Sequence, residues 1–176
     1  YIMNSFNKKE YLGLFGFCGR GCEIKNLGIE DVDITTIGAT GALAGYVENV
    51  TISNCYVKRG KINGCGNAGG LFGHLAGWHG TTLITDCYSD VSVTSTKYAG
   101  GISGLMGNTI MRNCSSYSSI KSLTKERGAG GITGGCYIND DPHSRDVQIE
   151  NCQVFNVTEE LAGVIVGALS HKEGVG

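Results

Sequence analysis

The sequence predicts an all-β fold, a right-handed parallel β-helix (β-solenoid) of about five coils plus a partial sixth. Three observations predict it: a long internal repeat, a period-2 pattern inside each copy, and glycine at fixed points with a single proline in 176 residues. The first half of the repeat reads AGGLFG at 68–73, AGGISG at 99–104 and AGGITG at 129–134, with looser copies YLGLFG at 11–16, TGALAG at 40–45 and AGVIVG at 162–167. The second half reads IKNL at 24–27, ISNC at 52–55, ITDC at 84–87, MRNC at 111–114 and IENC at 149–152. Between the closing glycines (16, 45, 73, 104, 134, 167) the steps are 29, 28, 31, 30 and 33 residues, a period that makes each copy one coil of a stack.

The elements follow in order along the chain. Residues 1–10 are polar (Asn4, Asn7, Lys8, Lys9, Glu10) and read as a partial N-terminal coil or cap; residues 11–176 carry the repeats. Two positions before each closing glycine the residue is always aliphatic (Leu14, Leu43, Leu71, Ile102, Ile132, Ile165), and two after it is apolar again (Cys18, Val47, Leu75, Met106, Cys136, Leu169). Between them runs a column without common chemistry (Phe15, Ala44, Phe72, Ser103, Thr133, Val166), expected to be free. Alternation of this kind marks a strand with one buried face, and the glycine suits a tight bend or a close approach of backbones. The second half alternates likewise, as at Val50 and Ile52, and a short apolar pair such as Val91 and Val93 supplies a third strand. No stretch carries a helical period over ten or more residues. Stacked in register, Asn26, Asn54, Asp86, Asn113 and Asn151 are expected to form a polar ladder at one corner.

Composition excludes several classes. Glycine is 29 of 176 residues with a single proline, which argues against collagen and proline-rich linkers; the recurrence of glycine at set positions makes it structural. A net charge of −2 leaves no electrostatic footprint for nucleic acid. No run of about 18 apolar residues is present to span a bilayer. The start at Tyr1 and the break inside a sixth copy predict a piece of a longer protein, flanked by further repeats or domains.

Eight cysteines invite a disulfide framework, but their columns argue for thiols. Cys55, Cys87, Cys114 and Cys152 share one column, where the first copy has Leu27; Cys18 and Cys136 alternate with Val, Leu and Met; Cys22 stands with Val50 and Val147. A buried free cysteine behaves as a small hydrophobe, and side chains stacked in parallel register suit disulfide geometry poorly. Cys65 has no column and reads as a loop thiol. The pair Cys18 and Cys22 lacks the second pair a zinc site needs, so no metal site and no cofactor is expected.

The Gly-Gly-aliphatic-x-Gly core followed by Asn-Cys-Tyr, best seen at Asn54-Cys55-Tyr56 and, with aspartate first, Asp86-Cys87-Tyr88, resembles the GLUG repeat over residues 11–167. That repeat occurs in bacterial cell-surface and adhesin-like proteins and in repeat regions of immunoglobulin A-specific metallopeptidases. The resemblance implies an extracellular or cell-surface location and a role as stalk or adhesive region. It does not imply catalysis: the family's peptidases use a separate zinc domain, and no His-Glu-x-x-His occurs here.

Function is expected where the copies differ. The step from closing glycine to the next Ile or Met is 7 or 8 residues in three coils but 11 in the third and 15 in the fifth. Insertions thus collect on one edge, in solenoids often the binding edge. The third brings His74, Trp78 and His79; the fifth brings Tyr137, Asn139, Asp140, Asp141, His143 and Asp146. An aromatic beside amides and carboxylates suits a sugar ring, so the candidate ligand-binding set is Trp78, His79, Tyr137, Asn139, Asp140, Asp141 and His143, with host or bacterial glycans or glycoproteins as partners. The carboxylates alone would suit calcium, and a solvated loop around Pro142 is the bland alternative. A polysaccharide-degrading β-helix would need clustered outward carboxylates; Glu30, Asp31 and Asp33 face Lys58, Arg59 and Lys61 one coil on, which reads as charge pairing, so no catalytic residue is nominated. The expected role is a non-enzymatic rigid spacer or adhesive rod.

Overall fold

A computed structural model describes residues 2–5, 11–77, 80–124, 128–139, 147–155 and 163–172. It is a parallel β-solenoid, with no helix among the described residues. Each coil of chain passes in turn through four sheets. The first sheet holds Tyr11–Leu12, Ala39–Thr40, Ala68–Gly69, Ala99–Gly100 and Ala129–Gly130. The second holds Phe15–Cys18, Ala44–Glu48, Phe72–Ala76, Ser103–Met106, Thr133–Asn139 and Leu169–Lys172. The third holds Glu23–Lys25, Thr51–Ser53, Thr82–Thr85, Thr109–Arg112 and Gln148–Glu150. The fourth holds Ile2–Ser5, Gly28–Thr36, Tyr56–Gly64, Tyr88–Ser95, the pair Ser115–Ser116 and Ser119–Ser122, and Gln153–Val154. Among the described residues the chain makes five passes, and a sixth meets the first sheet as a bridge at Gly163 and enters the second as Leu169–Lys172.

Register places like residues over like, as the repeat demands. Ile24, Ile52, Ile84, Met111 and Ile149 stand in one column of the third sheet. Cys18, Val47, Leu75, Met106, Cys136 and Leu169 stand in one column of the second. Of these, Ile24, Ile52, Ile84, Met111, Cys18, Val47, Leu75, Met106 and Cys136, with Leu43, Leu71, Ile102 and Ile132, belong to a single core, and Ile149 packs against it. Each column is a row of parallel-strand neighbours about 4.8 Å apart, so every rung buries the apolar face of the next.

One expectation fails at the corner between the first two sheets. The column assumed free is buried in its four inner rungs, where Ala44, Phe72, Ser103 and Thr133 are all 0% exposed, while Phe15 in the first rung is 40% exposed. The chain turns there instead of running straight, so two consecutive residues both face inward and strict alternation breaks. Ser103 and Thr133 satisfy their hydroxyls locally, donating to the carbonyls of Leu105 and Gly135 at 2.9 and 3.0 Å. The closing glycines serve the close approach that the sequence suggested. A Cβ on Gly104 would lie 2.5 Å from the nitrogen of Ala68, in the first-sheet strand of the rung before.

The asparagine column is a ladder. The amide of Asn54 donates to Asn26 at 2.6 Å, and that of Asn113 donates to Asp86 at 3.1 Å. It has a second cause that the sequence reading missed: Asn26, Asn54, Asp86, Asn113 and Asn151 all adopt φ between 51° and 55°. Asn and Asp tolerate this left-handed conformation better than other residues with a Cβ. The column therefore marks the point where every coil turns from the third sheet to the fourth.

All eight cysteines are free thiols, and Cys65 is exposed, as expected for a loop position. In the stacked column, Cys55, Cys87 and Cys114 are buried and send their thiols to the carbonyls of Ser53, Thr85 and Arg112 at 3.3, 3.1 and 3.3 Å. Hydrogen bonding to neighbouring thiols (Cys87 for Cys55; Cys152, then Cys87, for Cys114), followed by burial, holds Cys55 and Cys114 above the usual thiol range. Burial first, then neighbouring Cys22, pushes the Cys18 thiol up to about 11, and burial pushes Cys136 up to about 12. These are inert packing groups.

Candidate functional site

Two outward faces gather aromatic and polar side chains. The first is the outer face of the second sheet, which leads to the long-loop edge. Phe17, Tyr46 and His74 share one register column; Phe17 stacks on Tyr46 at 5.5 Å, and His74 meets Tyr46 edge-on at 5.0 Å. Tyr137, two rungs beyond His74, lies over Gly107 of the intervening rung, where a Cβ would run into its ring. Its hydroxyl reaches Nε2 of His74 at 3.1 Å. The third and fifth coils therefore do meet, through Tyr137 and His74. Burial pushes His74 down to about 4, so the imidazole is neutral at neutral pH. It also holds the Tyr137 hydroxyl well above the ordinary phenol range. These rings are packed against one another, and the hydrogen-bonding groups of His74 and Tyr137 meet each other. Of the other nominated residues, Asn139 ends the strand Thr133–Asn139, paired with Lys172; Trp78, His79, Asp140, Asp141 and His143 lie outside the described residues.

The second face is the outer face of the fourth sheet, which the sequence reading did not nominate. Tyr56 and Tyr88, the tyrosines of Asn54-Cys55-Tyr56 and Asp86-Cys87-Tyr88, stand in register and stack at 5.0 Å with planes 4° apart. The same position in the next rung is Ser115, so no ring continues the stack in register. The next aromatic stands two residues further on. Tyr117 is set against Tyr88 at 6.5 Å and 88°, and Phe155 of the following rung stacks on Tyr117 at 4.4 Å and 3°. The step opens a groove of about 410 Å³ lined by Lys58, Tyr88, Asp90, Ser115 and Tyr117. Tyr117 and Phe155 are 39% and 51% exposed, among the most exposed large apolar side chains of the described residues.

Beside the groove lies the expected charge pairing. Lys58 reaches Glu30 at 2.7 Å, Arg59 bridges Glu30 and Asp31 at 2.5 and 2.7 Å, and Lys61 reaches Asp33 at 3.2 Å. Hydrogen bonds from Lys58, then Arg59, hold the Glu30 carboxyl down at about 2, and Arg59 lowers Asp31. Asp31 and Arg59 both have left-handed backbone (φ 55° and 61°), so a bend in the strand aims both side chains outward at the same level. Carboxylates tied into ion pairs with depressed pKa are poor general acids. Among the described residues no group of three or more His, Cys, Asp or Glu is placed to hold a metal ion.

No family model matches this chain, and no curated protein does. Among solved structures it is similar to a protein from Bacteroides ovatus named "putative immunoglobulin A1 protease". The TM-score is 0.53 at 17% identity, over 98% of this chain and 67% of that one. At that identity the likeness establishes the shared solenoid fold and nothing finer about chemistry.

Proposed function

We infer that this chain is a non-catalytic rod segment of a bacterial cell-surface protein of the GLUG-repeat kind, a rigid spacer that can also carry an adhesive face. The observation that supports it most directly is the constant register of the stacked rungs through the first three sheets, with a single shift in the fourth between Asp90 and Ser92 among the described residues. A stack in which each rung is held by its neighbours along its length suits a stiff rod. The outward carboxylates Glu30, Asp31 and Asp33 of the fourth sheet are tied in ion pairs, and the name of the B. ovatus protein fits a repeat region attached to a peptidase. The test is a length series. Deleting residues 74–104, one closing glycine to the next, should leave a folded solenoid shorter by about 4.8 Å in small-angle scattering. Antibody raised against the solenoid should label intact cells of the organism that makes it. Cleavage of immunoglobulin A1 by the chain alone would overturn the non-catalytic reading, and collapse of the deletion variant would overturn the independence of the coils.

A further inference from the structure

We propose that the groove where the tyrosine stack steps from Tyr88 to Tyr117 is a binding site for a neutral hexopyranose, with a glycan chain running on along the solenoid axis toward Phe155. The step distinguishes this place from the rest of the face. Tyr56 and Tyr88 cover each other, so neither presents its shared face to a ligand. Beyond Tyr88 the register partner is Ser115, and the space a third tyrosine ring would fill is the groove. Its aromatic walls, Tyr88 and Tyr117, stand at 88° to each other. A pyranose has one face of C–H bonds, which packs on an aromatic ring, and a rim of hydroxyls, which needs mixed donors and acceptors. The groove supplies both: the carboxylate of Asp90 accepts, the ammonium of Lys58 donates, and the hydroxyl of Ser115 does either. At about 410 Å³ it sits at the small end of ligand sites, the size of a sugar ring or a disaccharide rather than a large cofactor.

Charge and backbone decide against other occupants. Lys58 is already paired with Glu30, and Arg59 with Glu30 and Asp31. Counting Asp90, the local balance is three carboxylates against two cations, unfavourable for a sulfated, sialylated or uronic sugar. A peptide adding as a strand needs an open sheet edge, but the strands that carry the groove are paired on both sides within the fourth sheet. A ligand here must be recognised by side chains alone.

The site goes beyond the rod reading and is separable from it: a solenoid that keeps its shape but binds no sugar would overturn the site and leave the rod standing. The experiment is a nuclear magnetic resonance titration of the whole chain with methyl glycosides of glucose, galactose, mannose and N-acetylglucosamine, then with lactose and cellobiose. The ring protons of Tyr88 and Tyr117 should shift saturably with at least one of these sugars, while those of Tyr46 stay in place. Two variants make the result decisive. Ser115→Tyr completes the tyrosine stack in register and fills the groove; it should keep the fold and lose roughly tenfold or more in affinity. Asp90→Asn removes an outward carboxylate without opening the core and should weaken binding severalfold. No sugar moving the two rings, or Ser115→Tyr binding as well as the parent, would overturn the proposal.

Discussion

The closing glycines make a sharp test of how the coils are held together, because one column contains both crowded and open members. A Cβ on Gly104 would stand 2.5 Å from the nitrogen of Ala68, 2.8 Å from the carbonyl carbon of Asn67 and 2.8 Å from the oxygen of Gly73. All three are backbone atoms of the adjoining rung, so no side chain can swing away. Restoring ordinary contact means separating two rungs by several tenths of an ångström, against hydrogen bonds on both sides. Overpacking of this kind costs about 1–3 kcal/mol, while the lost freedom of the unfolded chain returns about 0.4–1 kcal/mol when Gly becomes Ala. Gly104→Ala should therefore lose about 2 kcal/mol, or about 4–8 °C in Tm for a chain of this size. Gly16→Ala is the control. It occupies the same column in the first rung, and its added Cβ would meet just the oxygen of Tyr11 at 3.1 Å. It should cost under about 0.5 kcal/mol. Urea denaturation followed by far-ultraviolet circular dichroism measures both. Equal losses at the two positions, or no loss at Gly104, would refute the claim that the glycine is there for the approach of backbones.

Three further outcomes are expected. Asn54→Ala places an ordinary Cβ at φ 51° and removes the 2.6 Å ladder bond, for a loss of about 2 kcal/mol; Asn54→Gly keeps the backbone comfortable and should lose about 1 kcal/mol or less, so equal losses in chemical denaturation would show that the ladder bond alone matters. Because Lys58 and Arg59 hold Glu30 down at about 2, its contribution is fully present above the ordinary carboxylate range and disappears as pH falls from about 4.5 toward 2; Glu30→Gln should flatten that part of the Tm-against-pH curve, and added salt should shrink the difference. Thiol titration in denaturant without reductant should count eight reactive groups, Cys65 reacting first under native conditions, and a rise in the count on reduction would show disulfides where the structure has thiols.

The architecture was readable because a solenoid writes its fold many times. Each apolar column was sampled five or six times, so a single Ser or Thr could not hide it, and the cysteines could be read as small hydrophobes by the company they keep. What the columns did not reveal was direction at the corners. Period-2 alternation assumes a straight strand, and at the glycine turn the chain bends, so the column of Ala44, Phe72, Ser103 and Thr133 faces inward despite its mixed chemistry. The Asn column was legible as a ladder but not as a left-handed turn, although Asn or Asp at every copy is the signature of that conformation. The long-loop edge was nominated from insertion length alone. Length says where the chain has room, not which side chains face outward, and Tyr137 shows the difference: it leaves the edge and spends its hydroxyl on His74.

The groove suggests where to look instead. In a stack of like rungs, what the copies share is committed to holding neighbours: core columns, glycine contacts, the amide ladder. A tyrosine in every copy would have been one more such ladder, each ring covered by the next. The chain begins that ladder at Tyr56 and Tyr88 and then breaks it, placing Ser115 where a ring would stand and setting Tyr117 and Phe155 two positions further along. No core contact requires the break, since all these side chains point outward and Tyr56 and Tyr88 stack without strain in the rungs before. A substitution that forgoes a stacking contact of about 0.5–1.5 kcal/mol and leaves rings exposed has no structural return visible in the fold. The break after two stacked tyrosines, with Ser115 in register beyond Tyr88 and the next rings set two residues further along, is therefore the signal in this sequence that points to a ligand, rather than the length of a loop.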